Sequence, residues 1–294
     1  MTNLIVGATG RVGTEICRLL SMRNLPVRAM VRETSNPTRL DILRELGVEL
    51  VWGDLRKSST FAPALQGVST VFVTASSMPF SYEPGINDPL LVDRNGVINL
   101  VDAATKAGVI HFIYTSFSGH IDMDFPLRNA KRAVELHLKK SGMIYTILRP
   151  SYFMEAWLSN MVGFDPDNAK AQLSGDGNQP VSYISYLDVA KFAVESLDNP
   201  AARNAILELG GPDKISQKDA VKIFEKVKHT HFDVQYTPVE TLRSQMESAA
   251  DPMQQSFSGL MLAVANGDAI DMTDTVKKFH IKLKSVQEYA KSLN

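Results

Sequence analysis

The chain has 294 residues, 44% of them hydrophobic and 21% charged, an ordinary globular composition with length enough for a substantial core. With 31 basic residues against 32 acidic ones the net charge is −1, so no basic excess exists to neutralise a phosphate backbone, and nucleic acid is not an expected partner. The single cysteine, Cys17, excludes an internal disulfide and reads as a small buried hydrophobe. It suits a reducing, cytoplasmic setting. No leader pattern or bilayer-length apolar run appears, so neither secretion nor membrane insertion is expected.

The first half alternates two periods. Asn3 to Val6 is a short apolar run, and a helical pattern follows from about Arg11 to Met22. Val27 to Val31 predicts a second strand, Pro37 to Leu46 a helix stopped at Gly47, and Val48 to Trp52 a third strand. Ser58 to Gln66 predicts a helix, Thr70 to Thr74 a fourth strand, and NGVINLVDAATKAGV a long helix stopped by Gly108. The strand HFIYTS, a helix from about Leu127 to Lys140 and the strand IYTILR complete the series. Such alternation implies βαβ units and a doubly wound parallel sheet, and the unbroken apolar runs suit strands buried on both faces. After Pro150 the rhythm loosens into an aromatic and methionine cluster, YFMEAWLSNMVGF, a turn-rich SGDGNQP, and helical patterns broken near Ala205 to Leu209 and Phe232 to Tyr236. Residues 1–150 are therefore expected to form the core, with parts of 180–200 packing back on it. Residues 151–294 are expected to form a smaller, mostly helical α+β lobe on the substrate side.

The loop GATGRVG ends the first strand and opens the first helix, with glycines at Gly7, Gly10 and Gly13. At such a junction one glycine permits the turn, one lets backbone approach a pyrophosphate, and one allows helix-on-strand packing, while the helix N-terminus offers free N–H groups. The spacing is G-x-x-G-x-x-G, not G-x-G-x-x-G, so the strand before and the helix after must carry the inference; the bland alternative is a strand–turn–helix with small residues for packing. The second strand ends in Arg32, where an acidic residue would favour a free ribose 2′-OH and an arginine favours a 2′-phosphate, with Arg11 able to assist. NADP (NADPH) is accordingly expected over NAD, unless Arg32 is merely a solvated surface residue. Asp54, in WGDL, could accept from an adenine amino group or serve as a turn aspartate.

GATGRVG, VRAMVR, WGDL, FIYTSFSG, ILRPSYFMEAW and YISYLDVAKF with Asp188 together resemble the atypical NmrA-like branch of the short-chain dehydrogenase/reductases, near the NAD(P)H:quinone oxidoreductases and isoflavone-reductase-like proteins. The resemblance implies a Rossmann-like sheet and a bound nicotinamide dinucleotide. It places Gly7, Thr9, Gly10, Arg11, Val12, Arg32, Asp54, Thr74, Ala75 and Ser76 along the cofactor, with Gly13 closing the glycine loop. Ordinary members of the wider superfamily use Ser with Y-x-x-x-K. Here Ser116 or Ser118 stands near the serine position and Lys131 at the lysine, but Leu127 occupies the tyrosine position. The usual acid/base residue is therefore absent. Lys131 is then a proton carrier or ribose ligand, or else a solvated helix lysine paired with Glu135 at i+4.

Phe80, Tyr82, Phe117 and Phe153 follow predicted strand ends and could line an apolar cleft for a flat acceptor, although Phe153 and Trp157, four apart, equally suit one packed helix face. His229 and His231 form H-x-H without a completing ligand, so no metal is expected. The expected function is an NADPH-dependent oxidoreductase passing hydride to a quinone or related electrophilic carbonyl compound. The alternatives are a non-catalytic NADP(H)-sensing protein with a regulatory partner and a nucleotide-sugar epimerase, the last weakened by the missing tyrosine. A small-molecule substrate is expected, and a homodimer is possible on these grounds.

Overall fold

The computed structural model describes residues 1–79 and 82–293. Its elements begin with β1 (Thr2–Val6), α1 (Arg11–Met22), β2 (Val27–Val31), α2 (Pro37–Glu45), β3 (Glu49–Trp52), α3 (Phe61–Leu65) and β4 (Val68–Val73). A π-helical segment, Pro89–Gly96, leads directly into α4 (Val97–Lys106), followed by β5 (His111–Thr115), α5 (Pro126–Leu138) and β6 (Ile144–Pro150). Then come α6 (Met154–Trp157), β7 (Phe164–Asp165), β8 (Lys170–Ser174), β9 (Pro180–Val181), α7 (Tyr186–Glu195), β10 (Ala205–Leu209) and β11 (Ile215–Ser216). The chain ends with α8 (Gln217–Lys228), β12 (Asp233–Thr237), α9 (Val239–Ser248), α10 (Pro252–Asn266), α11 (Thr273–Phe279) and α12 (Val286–Lys291). Two compact units result, one of residues 1–116, 129–148 and 189–207, the other of 117–128, 149–188 and 208–294.

The first unit is built on a Rossmann-like sheet. Six strands run parallel in the order β3-β2-β1-β4-β5-β6, with β10 beside β6 as the seventh. That order reverses direction between β1 and β4, the switch point at which open α/β sheets bind ligands. Register sets Ile5 between Ala29 of β2 and Phe72 of β4. Strand residues Leu4, Ile5, Val71, Phe72, Phe112 and Ile147 are at most 0% exposed because the sheet is covered on both faces. Each large apolar side chain so buried contributes roughly 1.5–3 kcal/mol relative to exposure. Helix α1 buries Gly13, Ile16, Cys17 and Leu20, the one-face spacing of an amphipathic helix. Helix α2 starts where Asn36 accepts a hydrogen bond from the Arg39 N–H and Pro37 takes the first turn.

The second unit carries a small three-stranded sheet, β7-β8-β12, in which β8 runs antiparallel to β7 and parallel to β12, and a two-stranded ribbon of β9 and β11. Phe164, Phe224, Phe232 and Tyr289 form its aromatic core, with ring centroids 4.9–6.4 Å apart. Reciprocal capping boxes at Ser216/Asp219 and Ser285/Glu288 fix the starts of α8 and α12. Among the described residues no helix is long and apolar enough to cross a membrane.

Candidate cofactor cleft

A cleft of about 600 Å3 opens in the first unit at the ends of β1, β2 and β4. Gly7, Thr9, Gly10, Arg11, Arg32, Asp54, Thr74, Ala75 and Ser76 all line it. The geometry demands the first and third glycines. Gly7 sits at φ +94°, and a Cβ there would lie 2.6 Å from the Ala75 nitrogen. A Cβ on Gly13 would lie 2.2 Å from the Gly7 carbonyl oxygen, so helix α1 could not approach β1 as closely. Val12 and Gly13 belong to that first turn and do not line the cleft.

The start of α1 carries no side-chain cap. Gly10 offers none, and the first turn holds no acidic residue. The N–H groups of an uncapped helix start and its positive dipole end fit a phosphate. The lining carries Arg11, Arg32 and Arg39 against a single carboxylate, Asp54, giving a positive cleft in a chain of net charge −1. The turn after β2 adds Thr34, Ser35 and Asn36 to the wall. There the Ser35 hydroxyl accepts from the Arg32 N–H at 3.0 Å, and the Arg32 guanidinium reaches Asn87 Oδ1 at 3.5 Å. Arg39 escaped the sequence expectation, although Asn36–Pro37 marks a helix start and places Arg39 in its first turn.

Asp54 lines the cleft with its carboxylate already engaged. Arg56 Nη2 donates to Oδ2 at 2.5 Å, and the Arg56 backbone N–H donates to Oδ1 at 2.9 Å. Burial pushes the Asp54 carboxyl up, but the Arg56 hydrogen bonds, with the charges of Arg56 and Arg32, outweigh it and hold the group below its ordinary value.

Lys131 departs from the solvated alternative. It is 5% exposed, and Glu135 pairs with Arg132 at 2.6 Å in place of the i+4 lysine pair. The Lys131 ammonium instead stands 3.5 Å from Asp93 Oδ1, 3.4 Å from the Thr115 carbonyl oxygen, and over the Tyr114 ring at 5.3 Å. Ser116 is buried, and its hydroxyl accepts from Arg132 Nη1 at 3.3 Å. Neither Lys131 nor Ser116 lines the cleft. Asp93 and Tyr114 had no local sequence signal, since only the folded π-helical segment and β5 bring them to Lys131.

The described aromatic residues expected on the substrate side do not gather here. Phe80 lies outside the described residues, and Tyr82, Phe117 and Phe153 do not line this cleft. In the second unit, Phe117 stacks against Phe125 at 6.2 Å, and Tyr152 meets Trp157 edge-on at 4.5 Å. Ser118 donates to the buried Asp268 carboxylate at 2.7 Å, and His120 Nδ1 lies 2.9 Å from the same oxygen.

A doubly wound sheet with a glycine loop and an uncapped helix start at its switch point is the arrangement of dinucleotide-binding α/β proteins. The pattern of the NmrA-like family matches residues 2–290, and the chain belongs to that family. It is 29% identical over 245 residues to the photosystem II assembly factor Ycf39 of Trieres chinensis, covering 83% of this chain and 74% of that one. It is 32% identical over 216 residues to the NAD(P)H azoreductase of Xenophilus azovorans, covering 72% and 69%. Among solved structures, the NADPH-dependent quinone oxidoreductase QOR2 of Escherichia coli complexed with NADPH superposes with a TM-score of 0.79 at 21% identity, covering 99% of both chains.

Proposed function

We propose that the chain is an NADPH-dependent reductase that passes hydride to a quinone or related electrophilic acceptor. The observation that carries this is the cleft itself, a glycine loop and uncapped helix start at the switch point with Arg32 and Arg39 in the same wall. The N–H groups of the α1 first turn would hold the pyrophosphate, and the two guanidiniums would hold the 2′-phosphate. Bound NADPH supplies the hydride. The names of the azoreductase and of QOR2 support a reductase using a reduced nicotinamide. With Leu127 in place of the tyrosine, the protein contributes mainly by positioning, and a reduced quinone oxygen can take its proton from solvent. Lys131 would act on the ribose or on the proton.

A second possibility has its own support. The likeness to the Ycf39 assembly factor and the missing tyrosine both suit a protein that binds NADP(H) without consuming it and reports to a partner. One experiment separates the two. Purified protein is mixed with NADPH or NADH and a panel of quinones and azo dyes, and absorbance at the reduced-nicotinamide band is followed. Acceptor-dependent loss of NADPH, weakened at least about tenfold by Arg32→Glu, is the result expected of the reductase, a change of about 1.4 kcal/mol. Thermal stabilisation by NADP(H) with no turnover on any acceptor would establish the sensor instead.

A further inference from the structure

Four buried polar side chains of the first unit form one chain of contacts. Asp93 is 0% exposed, and its Oδ2 accepts from both the Ser77 N–H at 3.0 Å and the Ser77 hydroxyl at 2.6 Å. Among the described residues its Oδ1 accepts no hydrogen bond, and it faces the Lys131 ammonium at 3.5 Å. The fourth member, Tyr114, joins through its ring, 5.3 Å from the Lys131 ammonium; among the described residues its buried hydroxyl has no hydrogen-bond partner, and burial first, then the Asp93 charge, raises its pKa well above 10. Buried polar atoms are nearly always satisfied, and breaking a buried ion pair by removing one partner is costly. A lysine needed only for packing could be a methionine, with no carboxylate behind it.

The placement of Asp93 links this pair to the cleft. Ser77 directly follows Thr74, Ala75 and Ser76, which line the wall. Val92, the residue before Asp93, lines it too. Both Val92 and Asp93 lie on the π-helical segment Pro89–Gly96, a geometry found often at functional positions.

We infer that Asp93 is the positioning residue for Lys131, clamping the loop at Ser77 through one carboxylate oxygen and holding the ammonium in place through the other. This rests on the cleft's being an NADPH site. The ammonium's contacts at 3.4 and 3.5 Å are long, which leaves it donor capacity for an oxygen of the bound cofactor or acceptor.

The test is a double-mutant cycle in the full-length protein. Asp93→Asn, Lys131→Met and the double variant are compared for kcat, acceptor KM and NADPH affinity, with Ser77→Ala as a milder break. The expected result is a loss of about tenfold or more in kcat for each single variant, with acceptor KM within about threefold, and a double variant no worse than Lys131→Met. Ser77→Ala should lose about two- to fivefold in kcat. Losses that multiply in the double variant, or Asp93→Asn equal to wild type, would overturn the inference. If Asp93→Asn fails to fold, recovery of folding in the double variant together with the Ser77→Ala loss supports it, and Ser77→Ala with unchanged kcat overturns it. Where wild type binds NADPH without oxidising it, the same cycle is read on affinity. A wild type that neither binds nor oxidises NADPH would end both the cofactor assignment and this inference, whereas full wild-type turnover beside an inert Asp93→Asn change would end this one alone.

Discussion

At the scale of single residues, burial decides what each titratable group can do. Cys17 is fully buried in α1, and burial pushes its thiol up to about 12, so it is inert and serves as packing. His111 opens β5 at 6% exposure, with Nε2 2.8 Å from the Thr146 hydroxyl, which itself donates to the Ala202 carbonyl at 2.7 Å. The hydroxyl has given its hydrogen to the carbonyl, so His111 donates through Nε2–H, a role open to the neutral ring and to the cation alike. Burial, then the charge of Arg203, brings its pKa down to about 4 from 6.5. The folded state therefore resists a proton that the unfolded chain accepts below 6.5. The stability that His111 contributes is present above that value and is lost as the pH falls towards about 4. The loss is on the order of 3 kcal/mol at most. Urea unfolding at pH 7 and pH 4.5 should show wild type losing more stability than His111→Phe across that interval, while an equal loss in both would remove His111 as the cause.

At the scale of elements, helix starts and strand runs were legible because local chemistry specifies them. Arg11–Met22 and Val27–Val31 match the expectation at both ends, since Gly10, Gly13 and the unbroken apolar run mark them. The long helix expected over NGVINLVDAATKAGV is α4, preceded by π-helical winding that ends at Gly96, where a Cβ would lie 2.7 Å from the Leu55 carbonyl oxygen. Strands β7, β8, β9 and β11 were not foreseen. KAQLS has little β preference of its own, and β8 exists because β12 pairs with it from 63 residues further on, 170 against 233. Of the cleft, the glycine loop and Arg32 were visible as local motifs and Arg39 could have been found from the Asn36–Pro37 helix start, whereas Asp93 and Tyr114, outside the cleft lining, meet Lys131 only through the fold. The glycine loop makes two different demands, and they can be separated. Gly13→Ala would set a Cβ 2.2 Å from backbone and should lower stability by roughly 1–3 kcal/mol. Gly10→Ala meets its nearest atom, the Gly7 carbonyl oxygen, at 3.2 Å, so it should cost less stability than Gly13→Ala while intruding where a phosphate must approach. Paired urea melts and NADPH titrations check this. Equal stability losses in the two variants would show that the loop is only a packing device.

At the scale of the whole molecule, charge is concentrated, not abundant. The sums of 31 basic and 32 acidic residues nearly cancel, yet the cleft wall holds three arginines against one aspartate that Arg56 already neutralises. A nearly neutral surface exerts little long-range pull on polyanions, while a partly enclosed wall keeps its own field over short distances. The molecule should thus discriminate by shape and by local charge count. A long nucleic acid presents many phosphates to a surface with no matching excess of base. A dinucleotide brings its few phosphates to a wall that holds three arginines. NADPH affinity should therefore fall as salt rises from 50 to 300 mM, a range over which the Debye length shortens from roughly 14 to 6 Å. NADH, lacking the 2′-phosphate, should weaken less over the same range. In Arg32→Gln and Arg39→Gln proteins the NADPH slope should approach that of NADH, which isothermal titration of both cofactors at each salt concentration would measure. Identical slopes for the two cofactors in the unaltered protein would mean that Arg32 and Arg39 face solvent and that the preference for NADPH must be given up.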